Sequence, residues 1–232
     1  MIDVINCSQS GKVSLIMKSL IFVVSLLCGI STAEQPPKTM TKIEVILQSP
    51  DAPAGSFAAK PKVFYRAGNR YCRIEEAPDP EQGIHSLMIV NEPDYWMVNL
   101  LTKTGRHSVD PGPTFNCHLP IFAYGTPQSL DEETKEIRQL EFGQEFEFFK
   151  NKGATAEKGP VLQTKNTMVY RAKVGTASIA LFTYGTPERP LAVALQREGK
   201  NDLFWYSGYG QVDFDPKLFA KPENVKIEDS KP

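Results

Sequence analysis

Histidine is nearly absent from this chain, three residues in 232, and cysteine is scarce at four. His85, His107 and His118 with Cys117 are the natural zinc-ligating types, but no two share the spacing of a helical pair or a knuckle. A zinc site is not expected, and neither is any other metal or cofactor. The glycine loops that cradle phosphates are missing too, both G-x-G-x-x-G and G-x-x-x-x-G-K, as are H-E-x-x-H and the nucleophile elbow G-x-S-x-G. An excess of one charge is lacking: 26 Lys and Arg stand against 27 Asp and Glu. No basic stripe is left to bind nucleic acid, and no polybasic cluster to grip anionic lipid. The acidic runs Glu75-Glu76 and Asp131-Glu132-Glu133 read as solvated surface, the second favoured by a helix dipole. The sequence is not expected to encode an enzyme.

Long apolar runs are also few. The one from Leu20 to Ile30 falls short of the roughly 20 residues that cross a bilayer. It follows Lys18 and precedes Ser31-Thr32-Ala33, the order of a secretory signal from Met17 to Ala33 with cleavage before Glu34. Residues 1–16 read as an over-extended start. Leu27 stands where a lipid-modified Cys28 would need a small neighbour, so lipidation is not expected. The mature chain, 34–232, is expected to be a single domain and a monomer with no membrane span, in the periplasm or outside the cell. Cys72 and Cys117 are the two cysteines that remain after cleavage. An oxidising compartment favours their pairing, although no spacing rule brings them together and free thiols stay open.

What is present is mostly strand. "TKIEVILQS" (41–49) alternates apolar and polar residues. "AKPKVFYRAGNRYCRIEE" (59–76) reads as a hairpin turning at Ala67-Gly68-Asn69. "HSLMIV" (85–90) and "YWMVNLL" (95–101) flank a second turn, and "RHSV" (106–109) follows a third. Strands resume at 166–174, 177–185, 191–198 and 202–214. Between the two sets, four prolines in 111–127 exclude regular structure. Ser129 with Glu132 then forms a capping box for a helix broken or kinked at Gly143 and ended at Gly153. The six residues Phe-x-Tyr-Gly-Thr-Pro occur at 122–127 and 182–187, read as two similar turns rather than a duplication.

Two stretches, "LMIVNEPDYWMVNLLTKTGRHSVDPGP" (87–113) and "GYGQVDFDPKLFAKPENVKI" (208–227), resemble the outer-membrane lipoprotein carrier superfamily (LolA/LolB-like). The resemblance implies a mainly β (α+β) fold: a strongly curved antiparallel sheet, an incomplete barrel, covered by one or two helices over an apolar cavity. It also implies an acyl chain of a lipid or lipoprotein as partner. The chain differs from that family in entering its first strand directly after Glu34-Gln35-Pro36-Pro37. The expected function is an exported binding protein for an apolar or lipid-like ligand. The alternative is an envelope structural or interaction protein whose cleft its own aromatics fill. For binding, Trp96, Val98, Phe146, Phe149, Leu181 and Phe204 are expected to face one cavity.

Overall fold

The computed structural model describes residues 35–52, 55–112, 116–122, 131–197 and 199–230. The expected leader, 1–33, and Ser129 lie outside these residues. Twelve strands form one curved open sheet that does not close into a barrel, with two helices. The first, β1 (Thr39–Gln48), is flanked by two meanders. On one side run β2 (Lys62–Ala67), β3 (Tyr71–Glu76), β4 (Ser86–Asn91), β5 (Asp94–Asn99) and β6 (Thr104–Val109). On the other run β11 (Lys200–Asp213), β10 (Arg189–Arg197), β9 (Ala177–Tyr184), β8 (Lys165–Val174) and β7 (Glu157–Leu162). A last short strand, β12 (Lys226–Asp229), lies along β6.

That last pairing is parallel, so the sheet is antiparallel except at this edge. Returning to the β6 edge in the parallel sense takes a long connection. The segment after β11 supplies it, through a 3₁₀ turn at Pro216–Phe219 capped by Asp215, whose carboxylate accepts from the Lys217 N–H.

The helical segment expected to break or kink at Gly143 forms two short helices, α1 (Glu132–Ile137) and α2 (Glu145–Asn151). Gly143 separates them at φ +82°, a left-handed conformation that glycine adopts without strain. Asp131 caps α1, its side chain accepting from the Thr134 N–H at 2.7 Å. Among the described residues no helix is long and apolar enough to cross a membrane.

The two faces of the sheet carry separate cores. The helix-bearing inner face packs Ile43, Val45, Phe64, Leu181, Val193 and Phe204 against Ile137, Leu140, Phe142 and Phe149. On the outer face, Met40, Ala67, Leu87, Ile89, Trp96 and Val98 pack with Phe219 of the 3₁₀ turn. Phe214 stacks on Phe219 with ring centroids 5.4 Å apart, and Tyr71 meets both edge-on. The segment after β11 therefore acts as a second cover, on the side opposite the helices.

Candidate functional site

Cross-strand register organises the inner face into rows. One row runs Phe64, Ile74, Met88, Met97, Arg106 and Glu228 across β2, β3, β4, β5, β6 and β12. Burial falls along it, from Phe64 at 4% exposed to Met97 at 53%. The neighbouring row runs Arg66, Cys72, Val90, Tyr95 and Ser108. Over β8 to β11 and β1 the helices and Phe122, Phe142, Phe148 and Phe149 occupy this face. Over β4 to β6 it stays open, and two adjoining grooves lie there. One, of about 630 Å³, is bordered by Ser86, Met97, Asn99, Arg106 and Lys226. The other, of about 390 Å³, is bordered by Met88, Val90, Tyr95, Val109 and His118. Met88 of the second is paired with Met97 of the first across β4 and β5. Both volumes fall in the usual range for small-molecule sites.

The wall between the open and the filled half is the extended segment 116–122. Cys117 is joined to Cys72 of β3 by a disulfide. Its backbone N–H donates to Asn69 O at 2.7 Å, and its carbonyl accepts from Arg66 Nη2 at 3.1 Å. Arg66 Nη1 also donates to Glu141 Oε2 at 2.6 Å and to Phe142 O at 3.1 Å. Glu141 is buried, and its other oxygen bonds His118 Nδ1 at 2.6 Å. One guanidinium thus ties β2 to the wall and to the turn before α2.

Behind it lies a second buried acid. Glu145 is fully buried, with Oε1 accepting from Gly143 N–H at 2.9 Å and from Tyr206 O–H at 2.8 Å. Its Oε2 has no hydrogen-bond partner among the described residues. Burial raises the Glu145 carboxyl above its ordinary range despite these donors. Burial, then the neighbouring carboxylate, holds Tyr206 well above the usual phenol range.

The structure does not bring the six expected cavity residues together. Phe149, Leu181 and Phe204 are buried in the inner core under the helices, with Phe146 partly buried against it. There they are packing: Phe204 meets Phe122 at 5.6 Å and Phe142 at 5.5 Å between ring centroids, and Phe146 meets Tyr170 at 6.0 Å. Trp96 and Val98 lie on the outer face, Trp96 stacked on His107 at 5.3 Å. The strand is apolar on both sides, so alternation alone does not say which parity faces inward, and a shift of one residue exchanges the faces. From β5, Tyr95 borders one inner groove and Met97, Val98 and Asn99 the other, so Val98 reaches a groove edge while its side chain stays buried in the outer core.

Each histidine has a carboxylate partner. His85 meets Glu75 at 3.2 Å, while His107 lies between Asp94 and Asp229, each 2.8 Å away. Cys117 is consumed by the disulfide, and among the described residues no group of three or more His, Cys, Asp or Glu could hold a metal ion.

The sequence reading missed Arg66, Glu141, Glu145 and Glu92 as buried polar groups. The signal for Arg66 was present: it lies two residues from Phe64 on β2, and so on the same face. The three glutamates sit in turns and at a helix start, where acidic residues ordinarily face water.

No protein-family model matches the chain, and no curated protein matches it. Among solved structures it is similar to an uncharacterized conserved protein from Thermus thermophilus, at 12% identity and a TM-score of 0.44 over 83% of this chain and 91% of that one. It is also similar to a LolA superfamily protein from Nitrosomonas europaea, at 8% identity and a TM-score of 0.32 over 80% of this chain and 91% of that one. Neither likeness carries the functional reading.

Proposed function

We propose that the protein is an exported binding protein for an apolar, lipid-like ligand, lying in the open trough over β4 to β6, and that it acts by binding rather than catalysis. The supporting observation is the row Phe64, Ile74, Met88, Met97, in which apolar side chains pass from the packed core to an exposed groove. A methionine half-exposed on a sheet face loses most of the stabilisation that burial would give it. An acyl chain laid over Met88 and Met97 restores that at roughly 0.8 kcal/mol per methylene covered. Methionine is also the side chain that best adapts to chains of different shape.

A second reading is a structural or interaction protein that binds no small ligand. The packing of Phe122, Phe142, Phe149 and Phe204, which fill the space under the helices, favours it. Native mass spectrometry of protein purified from its source without detergent separates the two. The binding reading expects a co-purified lipid, lost in Met97→Glu while the fold persists. Wild-type protein that carries no lipid and takes up no apolar probe would leave the structural reading.

A further inference from the structure

The groove at the closed end of the β4–β5 hairpin contains an unexplained acid. Glu92, at the turn between the two strands, is 6% exposed and borders the groove beside Tyr95 and His118. Its main chain is satisfied: the N–H donates to Arg70 O at 3.0 Å, and the carbonyl accepts from Arg70 Nη2 at 2.9 Å. Of its side chain, Oε2 is buried and has no hydrogen-bond partner among the described residues. A buried carboxyl oxygen without a donor is rare and calls for a physical reason. Asp110, on the rim of the same groove, adds negative potential at Glu92. Of the basic side chains facing it, Arg70 is bonded to the backbone oxygen, and His118 turns its Nδ1 to Glu141. The floor beneath is apolar, formed by Met88, Val90 and Tyr95, and leads along the Met88–Met97 pair to the larger groove.

We propose that this groove takes a primary ammonium group carried on an apolar chain, the ammonium at Glu92 and Asp110 and the chain along Met88 and Met97. The inference rests on the reading that the trough binds an apolar chain, and it adds the head-group class. An ammonium supplies an N–H donor for the buried Oε2 and a positive charge beyond that of Arg70, in surroundings where a charge-assisted bond is strong. A carboxylate head would meet two acids instead, and a hydroxyl head would bring no charge.

The test is displacement of Nile red by dodecylamine, dodecanol and dodecanoate, each below its micelle threshold. The wild-type protein is expected to prefer dodecylamine over dodecanol at least about tenfold, the worth of one charge-assisted hydrogen bond. Glu92→Gln should bring the amine to near the alcohol while leaving the alcohol unchanged. Should that variant not fold, Asp110→Asn on the exposed rim is expected to reduce the preference at least about threefold through lost potential alone. Equal displacement by amine and alcohol in the wild type, or an unchanged preference in both variants, overturns the ammonium proposal and leaves apolar binding intact. No dye uptake and no displacement by any of the three would remove the binding reading itself.

Discussion

Arg66 and Glu141 form a buried ion pair, Nη1 to Oε2 at 2.6 Å, with both side chains about 5% exposed. Arg66 further bonds three backbone carbonyls, those of Gly68, Cys117 and Phe142, so its charge is well solvated by the fold. Such a pair adds little net stability over apolar packing, but half of it alone is costly. Arg66→Ala is therefore expected to lower the unfolding free energy by about 3–5 kcal/mol. The double variant Arg66→Met/Glu141→Leu should recover much of that loss. Urea titrations of the two variants check both statements, and a single variant as stable as wild type would refute them.

The Cys72–Cys117 bond closes a sequence separation of 45 residues. In the chain-entropy account a loop of that length stabilises the fold by about 4 kcal/mol. Cys72→Ser/Cys117→Ser is expected to lose most of this, and wild type in reductant should lose the same amount. Melting curves with and without reductant test it, since the double variant should show no response to reductant.

Stability is expected to fall as pH rises. Burial raises Glu145 above 4.5, and hydrogen bonds to Asp229 and then Asp94 raise His107 above 6.5. A group whose pKa is raised by folding stabilises fully below its unfolded value and loses that contribution as pH climbs through the folded one. The Glu145 contribution is thus complete below 4.5 and the His107 contribution below 6.5, each declining above. Chemical unfolding across that range should show the decline. Glu145→Gln should flatten its acidic part and His107→Gln its upper part. A stability that instead rose from pH 5 to about pH 8 would contradict the assignment.

Trp96 and Met97 are neighbours in sequence with opposite surroundings, one in the outer core and one at the inner groove. Trp96→Ala should cost about 3–5 kcal/mol as a core truncation, and Val98→Glu should prevent folding by burying a charge. Met97→Glu should leave the melting temperature nearly unchanged and abolish uptake of an apolar fluorescent probe. If Met97→Glu unfolds the protein, the trough over β4 to β6 is not an open surface.

The strands on either side of the helices were legible from two signals: "IEVIL" in β1 sets Ile43, Val45 and Leu47 on one face by alternation, and "SIALF" in β9 is a short apolar run between Gly175 and Gly185. The missed β7, "EKGPVL", contains Gly159 and Pro160, both poor strand formers, and pairs with β8 through an irregular register. β12 was missed because "KIED" is four residues long and has one apolar member, too little to establish a period. The break between the two helices was legible, because Gly143 interrupts the apolar stripe of Ile137, Leu140, Phe146 and Phe149. The inner face was harder still. A strand such as "DYWMVN" is apolar toward both layers, and only its register against β4 and β6 decides that Met97, not Trp96, borders the grooves.

The pairing of β1 with β11 sets a constraint on how the chain reaches its native state. Thr39 lies opposite Asp213 and Gln48 opposite Leu203, so the seam between the two meanders joins the beginning of the fold to its end. Each meander is built from neighbouring hairpins and can assemble from local contacts, whereas the seam must close nearly the whole chain. During synthesis β1 can pair with β2 early, but its other edge has no partner until β11 has emerged. For that interval the backbone groups of β1 on the β11 side are an open template for another strand. The charged Lys42 and Glu44, which alternate with Ile43 and Val45 along that edge, are the kind of residue that discourages pairing with a stranger before the proper strand arrives.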